Sequence, residues 1–302
     1  MVSSAGVSAG PPSTAEPLLS AEDLRIDLDG VPACDGLTFR TRGEHVLVLG
    51  APLALFAAAT GLASVVRGTL SVRGVPAAQA GARAIIAGAP MAPPTPPRWT
   101  VLEYVTWSAR LAGVPAEAAR ASAASALEKL QLGALAKTEM SRLVPHAHRA
   151  ALVAAALATC AEVIALEDPL GGLPDETAVA YGNVLATALA DRAWLVFAPR
   201  VPLTSALARA ADDAIVATAL RVDAQGPPAE LAAAERRFVA RIDGAIEPIV
   251  GILAERGAHL EAHGAHLFLD LGPRLSTSEL LAICDQANLA VLELVPAFRA
   301  LS

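Results

Sequence analysis

The chain has 302 residues, enough for one large or two modest domains with an ample core. Its formal charge is −7, and its basic residues are nearly all arginine with no basic stripe or aromatic–basic interleaving, which argues against a nucleic-acid partner. Hydrophobic residues make up 54%, but much of this is alanine, which buries little area per residue.

Residues 1–17 are rich in Ser, Gly, Ala and Pro with neither a basic start nor an apolar centre, and read as a flexible tail rather than a signal peptide. Strands are predicted at 24–28 and 37–41, around turns at Asp29-Gly30 and Asp35-Gly36. Residues 46–49 form a continuous apolar strand suited to burial on both faces of a parallel sheet, and an alanine-rich helix follows. The stretch 46–66 has no charged residue and is long enough to cross a bilayer. Gly50, Pro52 and Gly61 interrupt it, and its first half reads as a strand, so it is not taken as a membrane span. Strands at 69–72 and 84–86 precede the segment 87–98, whose five prolines forbid a helix or a central strand. Helices are expected at 100–112, 116–130 and 148–159, then a strand at 162–166, a loop at 168–174, a helix to about residue 190 and a strand at 193–198. Strands alternating with helices imply a parallel α/β sheet. Gly226-Pro227-Pro228 marks a boundary, after which the order becomes β-α-β-β-α-β, a ferredoxin-like arrangement. The predicted units are thus a tail at 1–17, a main domain at 18–227 and a small α+β domain at 228–302.

Cys34, Cys160 and Cys284 lie far apart without metal-ligand spacing, as in a reducing cytosol. His259, His263 and His266, and the pair His146 and His148, have no cysteine or fourth ligand nearby and read as exposed histidines rather than a metal site. The segment VLVLGAPLALFAAATGL, residues 46–62, is a strand, a turn and a helix start where P-loop ATPases carry G-x-x-x-x-G-K-S/T. Gly50 is present, but the second glycine, the lysine and the hydroxyl residue are replaced by Leu55, Phe56 and Ala57. A phosphate cradle needs close backbone N–H groups, a lysine for the β- and γ-phosphates and a hydroxyl for Mg²⁺. Pro52 removes one N–H, and the chain's only lysines are Lys129 and Lys137.

Over roughly residues 20–225 the chain resembles the ATP-binding subunit of an ABC transporter, with landmarks in the family's order. LRIDLDGVPACDGLTFRTRGEHVLVLG resembles the opening β-subdomain, AATGLASVVRGTLSVRG the segment after the P-loop, and TVLEYVTWSARLAGV the start of the helical subdomain. SRLVPHAHRAALVAAALA falls where the signature motif and its helix belong, and VIALEDPLGGLPD on the magnesium strand, catalytic carboxylate and following loop. The C-terminal segment ending in VLELVPAFRALS looks like the small domain appended to some subunits of ABC-2-type polyketide or drug exporters. The resemblance implies a P-loop ATPase fold of the ABC type: a parallel sheet core, an antiparallel β-subdomain and a helical subdomain.

Carried over one by one, the family's functional positions all depart from its pattern. The adenine-stacking aromatic falls at Leu28 and the γ-phosphate glutamine near Met91. The signature Ser-Gly-Gly-Gln falls on Val144, Pro145, His146 and Ala147, where proline removes a donor from a helix N-terminus. The magnesium aspartate falls on Glu167 and the catalytic glutamate on Asp168, which leaves this pair as vestiges, and the switch histidine falls near Pro199 or Arg200. Arg200 is a candidate internal counter-ion for Glu167 or Asp168. Micromolar nucleotide binding needs about 8 kcal/mol, whereas a helix N-terminus near Phe56 would supply only about 0.3–1 kcal/mol.

Trp99, Tyr104 and Trp107 stand out because aromatics are 4% of the chain; Tyr104 and Trp107 are spaced i, i+3, as on one helical face. Core packing is their default use. The family suggests another, in which they and Met91 line a pocket with the Pro-rich loop that receives a permease's cytoplasmic helix. The expected function is therefore that of a degenerate, non-hydrolysing ABC subunit, a pseudo-ATPase with ATP and Mg²⁺ as the family's ligands but no cofactor of its own. Its expected partners are a membrane permease, another ABC ATPase subunit, or both, and it would form a dimer, cytoplasmic and peripheral to the inner membrane. The alternatives are a scaffold or regulator in an envelope or motility assembly without transport, and an atypical active ATPase using Glu167 and Asp168.

Overall fold

A computed structural model describes residues 16–50, 52–202, 204–234, 237–244, 246–263, 266–272 and 275–296. All but the last two residues of the expected tail, Glu16 and Pro17, lie outside this set. The chain opens with a hairpin of β1 (Leu19–Leu28) and β2 (Val31–Arg40), turning at Asp29-Gly30. The second expected turn, Asp35-Gly36, lies inside β2. Leu37 pairs with Leu24 and Asp35 with Arg25, so Gly36 is the extra residue of a β-bulge, which mimics a turn in sequence. After β3 (His45–Gly50) and α1 (Pro52–Ala59), β4 (Val65–Val72) and β5 (Val75–Pro76) complete an antiparallel sheet of order β2-β1-β4-β5. A single turn, α2 (Ala77–Ala80), leads to β6 (Ile86–Ala89). Residues 87–89 are strand, but as part of the edge strand β6, which ends before Pro90, so the prolines stay out of helices and central strands.

Three helices follow: α3 (Val101–Leu111), α4 (Ala116–Lys129) and α5 (Pro145–Ala158). Thr100 starts α3 with a capping box: its side chain accepts from Glu103 N–H, and Glu103 accepts from Thr100 N–H. The buried face of α4 is Ala119, Ala123, Ala126 and Leu127, a one-sided stripe of small residues at helical spacing. The expected start of α5 at residue 148 is three residues late, because proline is tolerated at the first helical position. The chain returns through β7 (Val163–Glu167), α6 (Asp175–Ala188), β8 (Ala193–Ala198), α7 (Ala206–Ala210), β9 (Asp213–Ala217) and β10 (Val222–Gly226).

The central sheet has the order β10-β9-β3-β8-β7-β6, parallel except for β10. Its inner strands β3, β7 and β8 are apolar over most of their length because both faces are covered. Leu47, Leu49, Ile164, Leu166, Trp194 and Val196 face the helices, while Val46, Val48, Val163, Ala165, Leu195 and Phe197 face the antiparallel sheet and α1. That period of two divides each strand between two cores.

Beyond α8 (Pro228–Ala234), a separate antiparallel sheet is built from β11 (Arg237–Asp243), β12 (His259–His263), β13 (His266–Asp270) and β14 (Ala290–Pro296), in the order β12-β13-β11-β14. Helices α9 (Glu247–Glu255) and α10 (Thr277–Gln286) supply Ile249, Leu253, Leu280 and Ile283 to its own core. The chain order is β-α-β-β-α-β with the first strand between the third and fourth.

Two adjacent carboxylates fasten the link between the two larger sheets. Asp212 Oδ2 accepts from the N–H groups of Glu44 and His45, both at 2.9 Å. Asp213, fully buried, accepts from Arg42 N–H at 2.9 Å and from Gln225 Nε2 at 2.8 Å, while its other oxygen has no partner among the described residues. Burial raises the Asp213 carboxyl above its ordinary range, offset in part by the Gln225 and Arg42 donors. The folded chain then holds a proton that the unfolded chain releases near the ordinary value of about 4, so this group's contribution to stability falls as pH rises through that window. Asp213→Asn keeps the acceptor and removes the titration. Urea unfolding at pH 4, 5.5 and 7 should show the variant gaining on the wild type as pH rises, and a constant difference would refute the assignment.

Candidate functional site

The site expected from sequence lies at the carboxyl ends of β3, β7 and β8. Gly50 ends β3 with φ +102°, and a Cβ there would collide with the carbonyl oxygen of Ala217 on β9. This glycine is therefore required by strand packing alone. In α1, Ala54, Leu55 and Phe56 are 4%, 1% and 1% exposed, Ala57 is half-buried, and Leu53 is 50% exposed. The Phe56 ring meets the edge of Phe197 on β8 at a centroid distance of 5.8 Å and 73°. A Cβ on Gly88 of β6 would stand 3.3 Å from the tip of the same ring. The positions expected for a phosphate-binding glycine and lysine are thus filled by side chains that belong to the core. Full burial of each contributes about 1.5–3 kcal/mol to folding.

The two carboxylates are engaged separately. Glu167, the last residue of β7, accepts from the Met91 N–H at 2.9 Å through Oε2. Asp168 follows in a left-handed conformation, φ +38°, and its own N–H donates to Phe197 O at 2.7 Å. Its carboxyl is raised by burial, an effect opposed by the Arg149 charge, the Gly171 N–H and the Arg200 charge, in that order. Arg149 on α5, which sequence reasoning passed over, thus acts on Asp168 more strongly than the expected counter-ion Arg200. Arg149 also donates to Pro169 O at 3.2 Å. Its only sequence signal is its place one turn into α5.

At the start of α5, Val144 provides no side-chain cap and Pro145 occupies the first turn. Val144 is 54% exposed, Pro145 and His146 are exposed, and Ala147 is buried. His148 Nε2 lies 3.4 Å from Thr95 Oγ1, and burial, with the Arg149 charge second, lowers its pKa and favours the neutral ring. The Pro-rich loop is therefore held at both ends: by Glu167 at Met91, by His148 at Thr95, and by Ser141, whose hydroxyl donates to Pro97 O at 2.7 Å.

The four residues expected to meet a partner are divided. Tyr104 lines a groove of about 350 Å³ with Pro90, Ser108, Leu111 and Leu152. Trp107 packs edge-on against Trp99, 5.3 Å between centroids, in a different groove of about 590 Å³. Residues three apart on a helix differ by roughly 60° in direction, so Tyr104 and Trp107 fall on either side of a ridge rather than in one pocket. Met91 is 37% exposed and its side chain lines neither groove. Among the described residues no group of three or more His, Cys, Asp or Glu could hold a metal; the His263 and His266 side chains lie outside this set. No described helix is long and apolar enough to cross a membrane, and Cys34, Cys160 and Cys284 are unbridged.

No family model and no curated protein matches the sequence. The solved structures give the class. One similar structure is cbiO1 from Clostridium perfringens, part of the ABC transporter complex cbiONQ, with TM-score 0.62 and 20% identity over 72% of this chain and 92% of that one. Another is MJ1267, an ATP-binding cassette of an ABC transporter, with TM-score 0.59 and 18% identity over 70% and 91%. The dimeric structure of MJ0796, a bacterial ABC transporter cassette, has TM-score 0.58 and 17% identity over 69% and 98%. The chain has the fold of an ABC transporter ATP-binding cassette.

Truncating Phe56 tests the packing of α1 on the central sheet. Phe56→Ala should cost about 3–5 kcal/mol in urea denaturation, and a loss below about 1 kcal/mol would contradict the buried position.

Proposed function

We propose that the chain is an ABC transporter subunit that has given up nucleotide chemistry and serves as a structural partner. The observation that carries this reading is the burial of Leu55 and Phe56 at the positions where a phosphate-binding loop needs a glycine and a lysine. Glu167 and Asp168 support it: one holds the Met91 backbone and the other lies in the Gly171 turn beside Arg149, so neither is free for Mg²⁺. The vestigial signature at Val144–Ala147 has lost its serine and one backbone donor, which argues against service to a sister subunit's γ-phosphate.

In this reading the fold survives because its surfaces do. A permease segment would enter the groove of Tyr104 and Pro90, whose Pro-rich wall is already held in place by Glu167 and His148. Pre-ordering that wall lowers the entropic cost of docking. Two of the similar structures come from assemblies, the cbiONQ complex and the MJ0796 dimer, and we extend that habit to this chain as pairing with a sister ATPase at the inner surface of a membrane. The β-α-β-β-α-β unit at the C-terminus would mark the exporter-like branch and add a second contact surface.

Isothermal titration of Mg-ATP at millimolar concentration should give no heat, and melting temperature should stay unchanged. A dissociation constant below about 1 mM, equivalent to about 4 kcal/mol, would overturn the reading.

A further inference from the structure

Between α5 and α6, beside the segment 130–135, lies a cleft of about 420 Å³. Leu132, Leu135, Ala150 and Val184 give it apolar walls, and no lysine or arginine lines it. Its buried end holds Tyr181, 4% exposed, whose hydroxyl has no hydrogen-bond partner among the described residues. Two other buried polar atoms share that state, Arg73 Nε and Asp213 Oδ1, but each belongs to a side chain bonded through another atom. Arg73 donates to Glu44, and Asp213 accepts from Arg42 and Gln225. Tyr181 has no side-chain bond at all among the described residues. Burial pushes its phenol above the ordinary value, opposed by the Arg149 charge, so the hydroxyl keeps its proton. Arginine carries donors only, so this neighbour cannot take the proton; what the hydroxyl lacks is an acceptor. A phenylalanine would fill nearly the same space without that deficit. At the mouth of the cleft the lining carboxylate is Glu176, exposed in the first turn of α6.

We propose that this cleft binds a small molecule with an apolar ring body, an uncharged oxygen acceptor at its inner end and an ammonium at its outer end. The volume lies within the range of about 300–1,000 Å³ that holds small ligands, and apolar walls with a few polar groups are the usual makeup of such sites. At the inner end the Tyr181 O–H donates to a carbonyl or ether oxygen, in surroundings of low dielectric where the bond is strengthened. At the outer end Glu176 attracts the ammonium. A carboxylate or phosphate would meet only repulsion from Glu176, because no lysine or arginine lines the cleft. The bound molecule touches α5, α6 and the segment 130–135 together, so its binding stabilises their packing. The cleft shares no residue with the Tyr104 groove, and the inference does not rest on the absence of nucleotide binding.

Three aminobenzoyl compounds that share a ring and a carbonyl test this by calorimetric titration into the full chain. Procaine carries an ammonium, benzocaine no charge, and 4-aminohippurate a carboxylate. Procaine should bind saturably below about 5 mM and at least fivefold more tightly than benzocaine, with 4-aminohippurate the weakest. Glu176→Gln should remove the preference for procaine and leave benzocaine unchanged. Tyr181→Phe should weaken both at least threefold while the melting temperature stays the same or rises, since it deletes an unpaired hydroxyl. Ala180→Trp, a substitution at an exposed lining position, should block binding without unfolding the chain, which circular dichroism verifies. No saturable procaine binding, a preference for 4-aminohippurate, affinity indifferent to Tyr181→Phe, or binding that survives Ala180→Trp would each overturn the proposal. A fall in melting temperature of more than about 3 °C in Tyr181→Phe would also overturn it, by showing that the hydroxyl is bonded within the protein.

Discussion

The contact between Phe56 and Phe197 is the constraint on which the rest of the site depends. In the first helix after the central strand, Leu55 and Phe56 belong to the protein's own core. Phe56 spans the gap between β8 and Gly88 of β6, and Leu55 joins the antiparallel sheet to the parallel one. A lysine at position 56 would have to bury an ammonium in that slot, at a cost of several kcal/mol. Placing a lysine at position 56 would therefore cost core packing as well as desolvation.

The ring of loops at the strand ends is held together by side chains. Glu167 takes the Met91 N–H, His148 approaches Thr95, Arg149 reaches Pro169 O, and the Gly171 N–H serves Asp168. The result is a fixed Pro-rich wall beside the Tyr104 groove. At the opposite edge of the sheet, Asp212 and Asp213 do the same for the connection into β3. Two grooves lie on either side of α3, one holding Tyr104 and the other lined by Trp107, Arg110, Arg120 and Lys137.

Much of this was legible in the sequence where burial is two-sided or periodic. The apolar runs of β3, β7 and β8 announce a covered parallel sheet, and the apolar residues Leu55 and Phe56 announce a helix packed into the core. What stayed hidden depends on partners distant in the chain. The bulge at Gly36 imitates a turn, β9 begins at an aspartate that only Arg42 and Gln225 make tolerable in the interior, and Met91 meets Glu167 across 76 positions. The division of Tyr104 from Trp107 was hidden for a different reason: i, i+3 spacing fixes a separation on the helix surface, but not which neighbours lie on each side.

The most direct measurement is a crystal structure of the full chain grown with Mg-ATP at 10 mM, at a resolution that fixes side-chain rotamers. The account predicts Phe56 seated against Phe197, Glu167 on the Met91 N–H, and no triphosphate density at the end of β3. Triphosphate over Gly50, with Phe56 swung out of the core and Glu167 or Asp168 on a metal ion, would contradict it.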